Sequence, residues 1–108
     1  MLERLILSTV TPVFQGERYL RELVNRLESI RDELTAKGCP VHLAEAIFVE
    51  DGAIDGSAAL LDELEAHHSW IRVIHLSRNF GQHPATVAGI LHSAGDWVVT
   101  LDEDLQHP

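Results

Sequence analysis

Apolar and polar positions change their period along the chain, and these changes predict seven secondary-structure elements. Apolar and β-branched residues run together in four stretches, which predict strands at residues 5–13, 41–49, 71–76 and from about 97 onward. Between them, apolar residues recur at helical spacing, which predicts helices at residues 17–37, from 55 or 57 to about 67, and 84–95. The predicted order is therefore β-α-β-α-β-α-β.

The same pattern predicts which side chains face inward. In the first helix these are Leu20, Leu23, Val24, Leu27, Ile30 and Leu34. In the second and third helices they are Leu60, Leu61 and Leu64, then Val87, Ala88, Ile90 and Leu91. The last strand is predicted to be buried through Val98, Val99 and Leu101. Asp55 or Ser57 is expected to cap the second helix.

Alternating strands and helices are typical of an α/β fold in which a parallel sheet carries helices on both faces. We expect right-handed crossovers. A strand order of 3-2-1-4 would place a topological switch point between the first and fourth strands, beside Pro12. Ligands of open α/β sheets bind at the carboxyl ends of the strands near such a point. A ligand site is therefore expected at that edge.

The fourth strand ends in the acidic run Asp102, Glu103 and Asp104. In extended geometry Asp102 and Asp104 project to the same side, where two carboxylates repel unless a cation lies between them. Mg²⁺ and Mn²⁺ prefer such oxygen donors, and Gln106 continues the spacing with a neutral oxygen. The alternative is a solvated acidic turn, which is the commoner origin of an isolated D-x-D pattern.

Two other strand ends bring polar side chains to the same edge. Glu50 and Asp51 follow the second strand, and Arg78 follows the third. Asp51 could accept hydrogen bonds from a nucleobase or ribose, and Arg78 could pair with an oxygen of a metal-bridged diphosphate. The plainer alternatives are turn chemistry for Asp51 and a surface charge for Arg78. The glycine-rich Rossmann and P-loop motifs do not occur in the sequence.

Length and charge restrict the functional classes further. A chain of 108 residues fits one domain, and its net charge of -9 argues against a nucleic-acid partner held through phosphates. Cys39 is the single cysteine, which indicates a reducing, cytoplasmic environment and, with no histidine at ligand spacing, argues against structural zinc. The sequence contains neither an apolar run of membrane-spanning length nor a secretory signal.

Four motifs occur in order at the predicted strand ends: T-P-V-F-Q-G-E at 11–17, V-E-D-G-A-I-D-G-S at 49–57, L-S-R-N-F-G-Q at 76–82 and D-E-D-L-Q-H-P at 102–108. Together they resemble family-two glycosyltransferases with a GT-A fold, in the branch of polyprenyl-phosphate sugar transferases such as dolichyl-phosphate mannose synthases. The family's versions are V-P-V-Y-N-E-E, V-D-D-G-S-x-D-G-S, L-S-R-N-F-G-Q and D-A-D-L-Q-H-P.

The resemblance implies a role for each matched position. The nucleobase and ribose would contact Pro12, Phe14 and Asp51, and the diphosphate would lie near Arg78. The divalent metal would be held by Asp102, Asp104 and Gln106, with the two aspartates acting in catalysis through it. Two departures affect the donor pocket: Gly16 replaces the first glutamate of the opening motif, so its contact could pass to Glu17, and Glu50 replaces an aspartate.

The implied reaction is the inverting transfer of a sugar from a nucleotide sugar, preferably a UDP-sugar, to a polyprenyl phosphate. The metal would act as a Lewis acid on the departing nucleoside diphosphate. An anionic phosphate acceptor, with a second pKa of about 6, would need little help from a general base. The alternatives are a nucleotide-sugar-binding piece without transfer activity and a metal-dependent α/β phosphotransferase with an aspartate nucleophile.

The context of the chain is inferred from the same resemblance. Residues 1–108 would be the nucleotide-sugar-binding part of a catalytic domain, and we expect a fragment because the chain stops directly after its metal motif. The full-length protein would work at the inner face of the cytoplasmic membrane, attached only through segments outside this chain. Open sheet edges could be covered in a homo-oligomer.

Overall fold

The protein forms a sheet flanked by helices, as the alternating pattern predicts. The computed structural model describes residues 4–103, so Asp104 and Gln106 lie outside the described residues. In chain order the elements are β1 (Leu5–Val13), α1 (Leu20–Ala36), β2 (Val41–Glu50), α2 (Ser57–His67), β3 (Ile71–His75), α3 (Gln82–His92) and β4 (Trp97–Thr100). The helices described here are too short or too polar to cross a membrane.

The strands are ordered β3-β2-β1-β4, and each neighbouring pair is parallel. The predicted strand order and the parallel sheet are thus confirmed. Val13 at the end of β1 pairs with Glu50, and Glu50 pairs with His75 at the end of β3. Thr100 pairs with Val10, so the segment after β4 runs forward beside the last residues of β1. The loops that follow all four strands therefore meet at one edge.

Helices cover both faces of the sheet, which is also as predicted. On one face, α1 and α2 pack over a large cluster whose largest fully buried side chain is Phe48 of β2. On the other face, α3 packs through Ala85 against Val10, Ile47 and Val49. Apolar burial on both faces explains the nearly continuous apolar run at the end of β2, since a central parallel strand has no wet side.

The prediction for the inward face of α3 was wrong for three of its four residues, since only Ala88 packs partly against the core. Its bulky apolar residues are exposed, and the buried positions are the small residues Ala85 and Gly89. A Cβ on Gly89 would overlap the side chain of Val10. Small residues let the helix approach the sheet closely, and the period of bulky residues alone does not reveal such an interface. The exposed residues are Val87, Ile90 and Leu91.

The predicted burial of β4 was wrong for Val99 and only partly correct for Val98 and Leu101. Trp97 is 63% exposed and Val99 is 43% exposed. Within residues 4–103, β4 pairs with β1 alone, so it is an edge strand and only Val98 and Leu101 pack partly against the core. Ile30 in α1, predicted to face inward, is likewise 46% exposed.

The start of α1 and the cap of α2 differ from prediction. α1 begins at Leu20, three residues late, because the N–H of Tyr19 donates to the carbonyl of Gly16 in a turn (2.8 Å). The N-cap of α2 is Gly56, so neither Asp55 nor Ser57 has that role. Asp55 instead accepts hydrogen bonds from the backbone N–H and hydroxyl of Ser57.

Candidate functional site

An open cleft of about 460 Å³ lies at the carboxyl edge of the sheet, between the ends of β1 and β4. This volume is within the range of small-molecule sites, about 300–1,000 Å³. Its lining comes from the end of β1, from the segments that follow the four strands and from the start of α3: Pro12, Val13, Phe14, Asp51, Asn79, Gly81, Gln82, Asp102 and Glu103. The site therefore lies at the switch point that the strand order predicts.

The apolar wall of the cleft is the end of β1. Pro12 and Phe14, both singled out from the sequence, lie on it together with Val13. Phe14 is only partly buried, so its ring is accessible from the cleft. An aromatic face beside a proline suits a planar ligand group, since aromatic rings stack on such groups.

Asp51 lies in the floor of the cleft and is 2% exposed. Its Oδ1 accepts a hydrogen bond from the N–H of Phe80 (2.7 Å), and its Oδ2 accepts one from the N–H of Gly81 (3.0 Å). Asn79 donates to the backbone carbonyl of Asp51 (3.1 Å). In this structure the Asp51 carboxylate holds the loop between β3 and α3 in place, which is a different task from contacting a ribose directly.

Gly52 allows the loop after β2 to approach the backbone of the loop between β3 and α3 closely. Its φ of 64° is in the left-handed region, and a Cβ there would overlap the backbone of Asn79. Both the conformation and the space therefore favour glycine at this position. Asp51 and Gly52 lie in a tight bend after β2, and this bend also forms the floor of the cleft.

Asp102 and Glu103 form the acidic side of the cleft. Asp102 is exposed, whereas Glu103 is partly buried and turns back toward β1. Its Oε2 accepts a hydrogen bond from the N–H of Phe14 (2.6 Å), and its Oε1 accepts one from the N–H of Gln15 (3.1 Å). The acidic segment and the aromatic wall are thus connected directly.

Three residues singled out from the sequence do not line the cleft. The carboxylate of Glu17 accepts a hydrogen bond from the N–H of Gly56 (2.9 Å) and connects the starts of α1 and α2. The guanidinium of Arg78 lies 5.0 Å from the centre of the Phe80 ring. Glu50 is 7% exposed and points to the α2 side of the sheet, where it contacts His75.

Glu50 belongs to a network beneath the cleft that sequence reasoning missed. Its Oε1 lies 2.8 Å from Nδ1 of His75, and Nε2 of His75 lies 2.7 Å from Oδ1 of Asp62 in α2. Glu50 also accepts a hydrogen bond from the N–H of Ala53 in the loop after β2. The hydrogen bond to Glu50 raises the pKa of His75 above 6.5, against the opposing effect of burial, and Asp62 adds to the increase.

The electrostatics of the lining bear on what the cleft can bind. Among the described lining residues, Asp51, Asp102 and Glu103 are acidic, and none is lysine or arginine. A diphosphate would be repelled by such a surface unless a cation were bound with it. Residues 4–103 contain no cluster of three or more carboxylate, histidine or cysteine ligands. Mg²⁺ needs only one or two protein carboxylates when substrate phosphates complete its shell, so the exposed Asp102 fits such an ion.

Comparison with known proteins identifies the relationship. The profile of Glycosyl transferase family 2 matches residues 8–108. The chain belongs to this family. The undecaprenyl-phosphate 4-deoxy-4-formamido-L-arabinose transferase of Sodalis glossinidius (strain morsitans) is 43% identical over 102 residues, which are 94% of this chain and 29% of that protein. The chain thus spans less than a third of the length of this family member.

Solved structures confirm the GT-A type of fold for this family member. The mannosyltransferase PcManGT from Pyrobaculum calidifontis, in complex with GDP-Man and Mn²⁺, superimposes with a TM-score of 0.75 at 17% identity over 94% of this chain and 28% of its own. S. aureus TarS 1-349 in complex with UDP-GlcNAc gives 0.72 at 21% identity over 91% of this chain and 26% of its own. At these identities the likeness is one of fold.

Several lining residues were not assigned a role from the sequence. Asn79, Gly81 and Gln82 lie in the unchanged L-S-R-N-F-G-Q motif, from which only Arg78 was chosen because of its charge. Glu103 is the middle residue of the D-x-D pattern, and only the two flanking aspartates were assigned a role from the sequence. In both places the course of the backbone determines which residues line the cleft, and the type of side chain does not reveal it.

Proposed function

We propose that the chain is the donor-binding part of a glycosyltransferase that moves a sugar from a nucleotide sugar, preferably a UDP-sugar, to polyprenyl phosphate. The carrying observation is the cleft at the switch point, with Pro12 and Phe14 on one side and Asp102 on the other. Membership of the family and 43% identity to an undecaprenyl-phosphate sugar transferase support the reaction class. The acceptor in this proposal is a lipid phosphate, so the reaction takes place at a membrane, at its cytoplasmic face.

The nucleoside binds along the end of β1 in this proposal. The Phe14 ring and Pro12 contact the base, because they supply the apolar wall of the cleft. Asp51 acts through the backbone of residues 79–81, whose position it fixes by the hydrogen bonds from Phe80 and Gly81. Arg78 and Glu17 have supporting positions outside the lining, and Glu50 supports the loop after β2 through Ala53.

The diphosphate lies toward the end of β4. Asp102, with Asp104 and Gln106 from the same segment, would hold Mg²⁺ or Mn²⁺, which supplies Lewis-acid stabilisation of the leaving diphosphate. The acidic lining supports this assignment, because the described lining side chains carry no positive charge that could neutralise a diphosphate. A phosphate-monoester acceptor is already anionic near neutral pH, so inversion by direct attack needs no strong base from the chain.

Calorimetric titration of the chain with UDP, GDP and their sugars, in Mn²⁺ and in EDTA, tests the proposal. We expect a uridine nucleotide to bind in Mn²⁺ and to lose affinity at least about tenfold in EDTA, because the acidic lining then repels the diphosphate. A tenfold loss corresponds to ~1.4 kcal/mol of binding free energy. Asp102→Ala should reproduce the EDTA result, whereas Asp32→Ala on the exposed face of α1 should not. Binding that is equal in Mn²⁺ and EDTA would contradict the metal assignment, and no binding by the folded chain would contradict the donor site.

A further inference from the structure

Glu103 crosses the cleft mouth and connects two segments that are far apart in sequence. Its two carboxylate oxygens accept the N–H groups of Phe14 (2.6 Å) and Gln15 (3.1 Å), 89 and 88 residues away along the chain. Hydrogen bonds from N–H groups to an ionised carboxylate are about twice as strong as neutral ones. The carboxylate therefore fixes the backbone that carries the Phe14 ring, directly beside Asp102.

Gly16 provides the space in which this carboxylate lies. A Cβ on Gly16 would be 2.9 Å from Oε2 and 3.2 Å from Cβ of Glu103. Gly16 is buried, and its φ is not in the left-handed region, so the neighbouring side chain is the reason for glycine here. An added methyl group would displace the Glu103 side chain along its length, and so move the carboxylate away from Phe14.

Both positions also depart from the motifs that the sequence resembles, as Glu50 does elsewhere. Gly16 stands where the resembled opening motif V-P-V-Y-N-E-E has its first glutamate, and Glu103 stands where the resembled motif D-A-D-L-Q-H-P has alanine. In this chain the two departures contact each other. The segment after β1 therefore carries a small residue and the segment after β4 a glutamate, which is the reverse of the resembled motifs.

We propose that Gly16 and Glu103 form a matched pair, and that Glu103 is a positioning residue which holds the Phe14 wall of the cleft for the nucleoside of the donor. This proposal rests on the proposed function of the cleft. It assigns to Glu103 an action through the backbone N–H groups of Phe14 and Gln15. The pair fixes the backbone at Phe14 and Gln15 relative to the start of the segment after β4.

Four variants of the chain test this pair: Glu103→Ala, Glu103→Gln, Gly16→Ala and the double variant Gly16→Ala/Glu103→Ala. Glu33→Ala in α1, which removes an exposed carboxylate, is the matched control. Each is titrated with UDP in Mn²⁺ by calorimetry, and amide hydrogen exchange is followed at Phe14 and Gln15. Far-UV circular dichroism and thermal unfolding confirm that each variant folds.

We expect Glu103→Ala to raise the Kd for UDP about tenfold and to abolish the exchange protection of the Phe14 amide, as loss of a charge-assisted hydrogen bond predicts. Glu103→Gln keeps one acceptor oxygen and should give an intermediate Kd with protection at one amide. Gly16→Ala should resemble Glu103→Ala, and the double variant should bind no more weakly than Glu103→Ala, because the methyl group acts only by displacing the carboxylate. Glu33→Ala should match the parent chain.

Two results would overturn the pairing. The first is a Kd in Glu103→Ala equal to that of the parent, and the second is a double variant whose loss is the sum of the two single losses. If the parent binds UDP and the variants bind equally well, the positioning role fails while the proposed function stands. If the parent binds no nucleotide, the proposed function fails, and the donor-positioning role fails with it, whatever the exchange data show for the hydrogen bonds.

Discussion

Replacing Asp51 by asparagine is the substitution whose effect the structure defines most closely. The two carboxylate oxygens of Asp51 accept separate backbone N–H groups, those of Phe80 at 2.7 Å and Gly81 at 3.0 Å. Asparagine keeps one oxygen and presents an NH₂ group in place of the other. One of the two backbone donors would then face a donor, and the hydrogen bond that remains would lose its charge assistance.

The magnitude follows from where these groups lie. An unsatisfied buried donor costs about 1–3 kcal/mol. Asp51 is 2% exposed, but residues 78–80 are exposed, so a released N–H group can turn toward water. We therefore expect Asp51→Asn to lower the free energy of unfolding by about 1–2 kcal/mol, toward the lower end of that range. Nucleotide affinity should fall as well, because residues 79, 81 and 82 line the cleft.

Urea denaturation followed by circular dichroism measures the change in unfolding free energy, with Asp32→Asn on the exposed face of α1 as the matched control. The control should remain within about 0.5 kcal/mol of the parent, as is usual for surface substitutions. Amide exchange at Phe80 and Gly81 should accelerate in Asp51→Asn only. An Asp51→Asn chain as stable as the control, with unchanged exchange at both amides, would refute the account of this loop.

Three further predictions concern the scaffold. Gly89→Ala should destabilise the chain by about 1–3 kcal/mol through overpacking against Val10, whereas Val87→Ala on the exposed side of α3 should have little effect; equal stabilities in urea would contradict the close packing of α3. The pKa of His75 is raised by its hydrogen bond to Glu50, so its contribution is complete below pH 6.5 and is lost as pH rises through the folded-state pKa. His75→Gln should flatten that part of the curve of unfolding free energy against pH, and an unchanged curve would exclude the network. Burial alone would raise the pKa of Glu45, but hydrogen bonds from Ala94, Ser8 and Arg72 lower it. The stability that Glu45 contributes is therefore present above its unfolded-state pKa and is lost on acidification. Glu45→Gln should remove this acid-dependent loss of unfolding free energy, as urea titrations at pH 3–7 would show.

The sheet was predictable because its signal is local and repeated. Each β-strand is a short apolar run followed by a turn or an acidic residue, and the alternation with helices leaves a parallel sheet as the natural arrangement. The order 3-2-1-4 was considered because it places a switch point between the first and fourth strands, beside Pro12, and the structure has this order. Pro12, Phe14, Asp51 and Asp102 all lie at the cleft because they directly end or follow strands.

What could not be predicted depends on contacts between distant segments. α3 packs through Ala85 and Gly89, and this follows from how closely it approaches the sheet, which no helical period reports. Glu17 and Arg78 carry charges suited to a ligand, yet their neighbours Gly56 and Phe80 hold them outside the lining. These positions result from turn geometry, whereas sequence reasoning selected residues by their chemistry.

The pair of Gly16 and Glu103 illustrates the same difficulty at the site itself. Each position alone looks like the loss or gain of a charge in a motif. Only the structure shows that the two positions lie against each other across the mouth of the cleft, which is the basis for proposing them as a pair. Two segments separated by almost the whole length of the chain therefore have to be considered together before either can be interpreted.

If a nucleotide binds between the ends of β1 and β4, NMR mapping of UDP onto the ¹⁵N-labelled chain in Mg²⁺ will place it there. We expect chemical-shift changes at Phe14, the Asn79–Gly81 loop and Glu103, with none at the opposite edge around Lys37 and Cys39. Changes concentrated at that opposite edge, or a folded chain whose spectrum does not respond to millimolar UDP, would contradict this expectation.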